Sequence, residues 1–401
     1  MKIGLVTGEY PPMEGGVGAF TRELAKEFSR TGNEVHVITS RRARPKVEDR
    51  SLWDIREPYD VGYAQLHAGV SRWWWPAMST VANIVSRYDL DIVNIQYQAA
   101  AYDMRIPAIN FLPWRLRGMT KTVVTFHDLR VPYLFPKAGR LRGKMVRRLA
   151  QSADGIIVTN NEDYDRLKEK STGGSAIVQL PIGSNIKASV PDPEGVESLK
   201  RSTLRKRDSI LLGYFGFLNE SKGADLLVES FATLPENFEL VFIGGQIGSS
   251  DSARNQAFFD RLMKRIDELS LQDRIHWSGF LEDEDVSTYF YTCDLMVMPY
   301  RDGASLRRGT LMAALAHGCP IVTTHPNSQV GQLIHGENVW LTPVDDSREL
   351  SDAIVTLGAD ADLRDRLGDN ARQSSIQFNW DVIAAQTEAF FEEIIASESE
   401  N

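Results

Sequence analysis

Cysteine is almost absent from this chain. Its 401 residues include only Cys293 and Cys319, neither in a metal-type cluster, which argues against both a disulfide framework and a zinc site. A reducing cytoplasm is the expected compartment. Long apolar runs are missing too, since none approaches the ~20 residues needed to span a bilayer. No cationic leader precedes the strand-like start at Lys2, which argues against secretion. The Gly-x-Gly-x-x-Gly spacing of dinucleotide sites is also lacking, so a dehydrogenase is disfavoured. Two acidic clusters do not qualify as metal motifs. Asp89-Leu90-Asp91 leads into a strand, and Asp283-Glu284-Asp285 reads as the first turn of a helix. No metal is expected.

What is present is an ordinary globular composition, with 42% apolar and 25% charged residues. At roughly 150 residues per domain, this length predicts two domains. The net charge of -9 is unevenly spread: residues 1–190 hold 27 Lys and Arg against 19 Asp and Glu, leaving 18 against 35 for the rest. Such a chain is a poor nucleic-acid binder, but its basic half suits phosphate groups or an anionic membrane.

Short apolar strands alternate with longer helical stretches. Strand-like segments run over Lys2–Thr7, Glu34–Thr39, Ile92–Ile95, Thr122–Phe126, Gly155–Thr159 and Ile177–Leu180. The grammar then repeats over Ser209–Phe215, Phe238–Ile243, Arg274–Ser278, Leu295–Met298, Pro320–Thr323 and Val339–Leu341. Helical stretches include Ala19–Arg30, Ala224–Ala232, Asn255–Leu269 and Arg308–His317. This pattern predicts an α/β fold with two parallel, doubly wound sheets. The Pro-, Ser- and charge-rich stretch 188–208 is the expected linker. It separates a domain over 1–190 from one over 208–376, and a tail helix follows at 377–401. In doubly wound domains, ligands sit at the carboxyl ends of the strands.

Two glycine-containing turns feed helices, Gly15-Gly16-Val17-Gly18 and Arg307-Arg308-Gly309-Thr310-Leu311. A helix start offers unpaired N–H groups and the positive end of the helix dipole, and arginines add fork-shaped donors suited to phosphate. Together they ask for a diphosphate. Lys222, in the turn after the strand ending at Phe215 and Gly216, is a further point charge for the same anion.

Taken in order, Glu9-Tyr10-Pro11-Pro12 with Gly15-Gly16-Val17-Gly18, His127, Pro181-Ile182-Gly183-Ser184-Asn185-Ile186, Gly216 with Lys222-Gly223, and Gly318-Cys319-Pro320-Ile321-Val322 resemble the retaining glycosyltransferases of family four. The resemblance spans nearly the whole chain. It implies the GT-B fold, two Rossmann-like domains facing a cleft, and a role in glycan biosynthesis. It further implies transfer of a sugar from a nucleotide-diphosphate sugar to an acceptor hydroxyl with retention of configuration and without metal, the leaving diphosphate itself taking the acceptor proton. No cofactor is implied beyond the nucleotide-sugar substrate, and the acceptor would be a glycan or a lipid-linked molecule.

The likeness and the reading of the helix starts together assign the donor to Gly15, Gly16, Gly18, Gly216, Lys222, Ser305, Arg307, Arg308, Gly309, Thr310 and Leu311. His127, Lys222 and Arg308 would be catalytic; Glu9, Tyr10 and Asp128 would meet the acceptor. The pattern also departs from the family. Many relatives have an arginine where Phe217 stands, and a pair of glutamates, for donor sugar and ribose, where Ser305 and Ala313 stand. Arg307 or Arg308 would supply the missing positive charge. The vacant glutamate positions suggest one rival, a non-catalytic nucleotide-sugar-binding regulator; the other, a sugar-nucleotide epimerase on the same fold, would need carboxylates in the cleft, for which Glu9 is the only early candidate. Finally, the basic run Lys137 to Leu149 and Trp73-Trp74-Trp75 suit peripheral contact with an anionic membrane, or equally a solvated helix face and a buried tryptophan cluster.

Overall fold

The computed structural model describes the chain except residues 14, 45–56, 103–105, 128, 130–140, 170–173, 185, 246–251, 328–329 and 398–401, and the side chains of 141–142, 169 and 252–253. It divides into two compact units, Met1–Gly183 with Trp380–Asn401, and Ser184–Asn379. The stretch 188–208 lies wholly in the second unit and holds a helix, Pro193–Thr203, whose start is capped by Asp192. Proline at the first helical position and an Asp cap make this segment a helix start, and its charged residues are largely its solvated face, apart from Lys200, which pairs with Asp294 at 2.7 Å.

The first unit is built on eight strands: β1 (Lys2–Thr7), β2 (Glu34–Ser40), β3 (Tyr59–Asp60), β4 (Gln65–Val70), β5 (Ile92–Tyr97), β6 (Lys121–Phe126), β7 (Gly155–Val158) and β8 (Ala176–Gln179). Their order is β3-β4-β2-β1-β5-β6-β7-β8, parallel throughout except for the β3–β4 pair. Strands β3 and β4 were not foreseen. Gln65–Val70 is broken by Gln65, His67 and Gly69, so its apolar run is too short to signal a strand by itself. Pairing with β2 supplies what local sequence does not.

The second unit has six strands: β9 (Ile210–Phe215), β10 (Phe238–Ile243), β11 (Ile275–Trp277), β12 (Leu295–Met298), β13 (Ile321–Thr324) and β14 (Trp340–Thr342). All run parallel, in the order β11-β10-β9-β12-β13-β14. Both central strands are sealed: β1 and β9 bring Ile3, Leu5, Leu211 and Leu212 to full burial, as expected where helices cover both faces.

The tail is three helices, Ser347–Ala359, Ala361–Ser375 and Trp380–Ala396. The last buries Ile383, Phe390, Phe391 and Ile394 in the first unit, where Phe391 lies 5.8 Å from Phe28.

Candidate functional site

In the second unit a cavity of about 490 Å³ opens past the carboxyl ends of β9, β10 and β11. Gly216, Gly244 and Phe280 follow those strands and line it; Lys222, Arg308, Gly309 and Thr310 complete the polar side. Gly216 has φ +110, a left-handed value that favours glycine, and a Cβ there would lie 2.8 Å from Thr310 Cγ2 and 3.1 Å from Lys222 Nζ. Backbone, lysine and helix start therefore converge on one spot.

The helix Gly309–Ala316 begins at Arg308 with no side-chain cap, and its first internal bond runs from the Met312 amide to the Arg308 carbonyl at 3.0 Å. Among the described residues the amides of Gly309, Thr310 and Leu311 donate to nothing, which is the state of an anion-binding helix end. Arg308 is held in place rather than free, since it pairs with Asp302 and lies 4.2 Å over the Tyr300 ring. Tyr300 in turn bonds Thr310 Oγ1 at 2.8 Å; burial pushes its phenol up to about 12. No carboxylate pairs with Lys222 among the described residues. Burial, and then the Arg308 charge, push its ammonium down to about 8.

Not every expected donor residue reaches this cavity. Leu311 is fully buried in the core, so only its backbone amide faces the helix end. Ser305 Oγ accepts from the Arg307 amide at 3.3 Å and its carbonyl from the Arg308 amide at 3.0 Å, making it a turn former ahead of the helix rather than part of the cavity wall. Ala313, at the second vacant glutamate position, is fully buried. Phe217 is 45% exposed and lines the cavity with Phe280, giving it an apolar side. Phe280 was missed by sequence reading, although its place two residues past Ser278, at a strand's carboxyl end, was the available signal.

The first unit tells a different story for its glycine turn. Glu9 Oε1 accepts from the amides of Val17 at 3.1 Å and Gly18 at 3.4 Å, so the start of helix Gly16–Arg30 already holds a carboxylate. A Cβ on Gly15 would lie 2.1 Å from that carboxylate, so a side chain there would have to push the Glu9 carboxylate aside. The expected acceptor residue Glu9 is thus an internal cap, and the anion expected at Gly15, Gly16 and Gly18 meets an occupied helix end. Gly16, by contrast, has nothing within 4 Å of its would-be Cβ. Tyr10 is buried, its hydroxyl 3.0 Å from that of Tyr63. Asp128 lies outside the described residues.

His127 follows β6 and is buried, with Nε2 2.8 Å from Gln96 Oε1 and its ring 4.7 Å from Phe20. Burial pushes it down to about 3, so it is a neutral hydrogen-bonding group at neutral pH. Of the two acidic clusters, Asp91 Oδ2 accepts from the Lys2 amide at 2.7 Å and Asp89 ends a helix with φ 53. Residues 283–285 form the first turn of the helix Asp283–Thr292.

Two family models match this chain, one described as Glycosyltransferase Family 4 over residues 14–183 and one as Glycosyl transferases group 1 over residues 196–374. A phosphatidyl-myo-inositol mannosyltransferase of Mycobacterium leprae is 24% identical, covering 100% of this chain and 98% of the relative. A D-inositol 3-phosphate glycosyltransferase of Xylanimonas cellulosilytica is 23% identical over 92% of this chain and 90% of its own length. In fold, the chain is similar to sucrose-phosphate synthase from Thermosynechococcus elongatus, with TM-score 0.75 and 20% identity over 99% and 100% of the two chains. It is also similar to Anabaena HepE solved with UDP and glucose, with TM-score 0.71 and 18% identity over 98% and 100%. Two parallel-sheet units, the neighbouring folds and two models that together take in most of the sequence agree: the chain belongs to the family 4, group 1 glycosyltransferases and has the GT-B fold.

Proposed function

We propose that the second unit binds a nucleotide-diphosphate sugar and that the protein transfers the sugar, with retention of configuration and without a metal ion, to a hydroxyl of a glycan or lipid-linked acceptor. One observation carries this reading: an uncapped helix start meets Lys222 and Arg308 at the mouth of a cavity past the strand ends. A diphosphate satisfies the free amides and the cations at once. Stabilising the leaving group with fixed amides and cations supplies the electrostatics that a divalent ion would otherwise provide. The phosphate oxygen that leaves the anomeric carbon takes the acceptor proton. Phe217 and Phe280 give the base an apolar wall, and the cavity volume falls within the roughly 300–1,000 Å³ of small-molecule sites. The names of the mycobacterial and Xylanimonas relatives support an acceptor hydroxyl on a phosphorylated or lipid-linked molecule.

Thermal-shift screening against nucleotide sugars identifies the donor, because a ligand of the native state raises stability with occupancy. NMR of the product formed in excess chelator then reads the anomeric configuration. An inverted product, or activity lost to chelator and restored by magnesium or manganese, overturns the corresponding part of the proposal. The absent glutamates at Ser305 and Ala313 favour a second reading, a regulator that binds nucleotide sugar without turnover. Stabilisation by a donor with neither hydrolysis nor transfer would establish it instead.

A further inference from the structure

Three stretches of the first unit, residues 72–88, 106–121 and 141–152, contain nine Lys and Arg and no Asp or Glu. The fold makes one surface of parts of them. Trp75, at the start of the helix Trp75–Tyr88, lies 5.3 Å from Phe111, and Arg148, on the helix Leu141–Ser152, lies 4.9 Å over the same Phe111 ring. Phe111 leads directly into the helix Leu112–Leu116, which carries Trp114. Trp75 is 53% and Trp114 55% exposed, with Trp74 and Met119 beside them in sequence also exposed. Trp73, the remaining member of the tryptophan triplet, is buried at 4.9 Å from Tyr102 and belongs to the core.

Two properties coincide here. Large aromatic side chains stand in water, which soluble surfaces seldom allow in groups. Around them Arg72, Arg115, Arg117, Lys144, Arg147 and Arg148 meet no carboxylate among the described residues, whereas Arg87, at the far end of the helix Trp75–Tyr88, pairs with Glu57 and ion pairs are common elsewhere in this molecule. Exposed tryptophans set among unpaired cations match the interfacial layer of an anionic bilayer, where indole rings sit at headgroup depth and Lys and Arg meet phosphate. Among the described residues no helix is long and apolar enough to cross a membrane. The fitting mode is therefore to lie on the surface.

We propose that this face of the first unit docks on anionic phospholipid, with Trp75 and Trp114 inserted at headgroup depth and Arg117, Arg147 and Arg148 on phosphates. This goes beyond the transferase reading and shares no residue with the donor site. The test is flotation of the full chain with phosphatidylcholine vesicles with and without phosphatidylglycerol, at low and high salt. Wild type should float only with the anionic vesicles and lose binding as salt rises, because headgroup attraction acts within a Debye length. The charge-reversal pair Arg117→Glu with Arg147→Glu should weaken partition at least about tenfold. The pair Trp75→Ser with Trp114→Ser should also release the protein while leaving thermal stabilisation by nucleotide unchanged, which verifies folding. Flotation that ignores lipid charge, variants that float like wild type, or binding of a single-stranded oligonucleotide in place of vesicles would each overturn the proposal.

Discussion

The two glycine turns of this chain begin alike and end differently. Both lead from a loop into a helix whose first amides lack intrahelical partners. In the first unit the Glu9 carboxylate closes the helix start through the amides of Val17 and Gly18; in the second the start at Gly309 has no cap and is flanked by Lys222 and Arg308. The same local grammar thus yields an internally neutralised helix end in one place and an open anion site in the other. What differs is the charge that each turn meets: a carboxylate eight residues before Val17, against a lysine and arginines that meet across the cavity.

The largest expected effect removes the open side of this contrast. Arg308→Ala or Lys222→Ala should each lower donor affinity about tenfold to a hundredfold, the worth of one charge-assisted phosphate contact at roughly 1.5 to 3 kcal/mol. Titration calorimetry with the donor that stabilises the protein measures it. Wild-type affinity in both variants would put the diphosphate elsewhere.

A smaller effect comes from pH. Lys222 is pushed down to about 8, and only its protonated form attracts an anion. Donor affinity should therefore hold below that value and fall above it, by at most about tenfold per pH unit. Lys222→Arg stays charged and should flatten the profile; a wild-type profile flat from neutrality through alkaline pH would remove Lys222 from the contact.

Breaking the closed side should cost stability rather than donor binding. Glu9→Ala unpairs two helix-start amides, for about 1 kcal/mol by analogy with lost caps, visible as a shift of the denaturant midpoint at constant slope. Donor affinity should stay within error of wild type. A large loss of donor affinity with no change in stability would show that Glu9 works in binding rather than as a cap.

Ser305→Ala should do least. It removes one side-chain bond to the Arg307 amide at 3.3 Å and should change donor affinity by less than about fivefold, corresponding to a net hydrogen bond of about 1 kcal/mol or less. A larger drop would return Ser305 to direct contact with the sugar.

Much of this contrast was legible beforehand. Apolar runs placed β1, β10 and β12 to the residue, because strands buried on both faces need no partner to declare themselves. Strand β4 was illegible for the opposite reason, since His67 and Gly69 interrupt it. Arg308, Gly309 and Lys222 were readable as a phosphate site from charge and helix starts. The cap at Glu9 was not, for a carboxylate near a glycine turn reads equally as ligand contact and as internal partner until distances decide.

By itself, the sequence determined the two-sheet architecture, the family, and which residue types can meet a diphosphate, because periodicity and charge are local properties. Only the tertiary structure decided which helix start is open, that Ser305 and Leu311 stand back from the cavity, and that Trp75 and Trp114 face water while Trp73 is buried. Those outcomes rest on which groups the fold brings within a few ångströms of one another, and sequence order does not encode who wins.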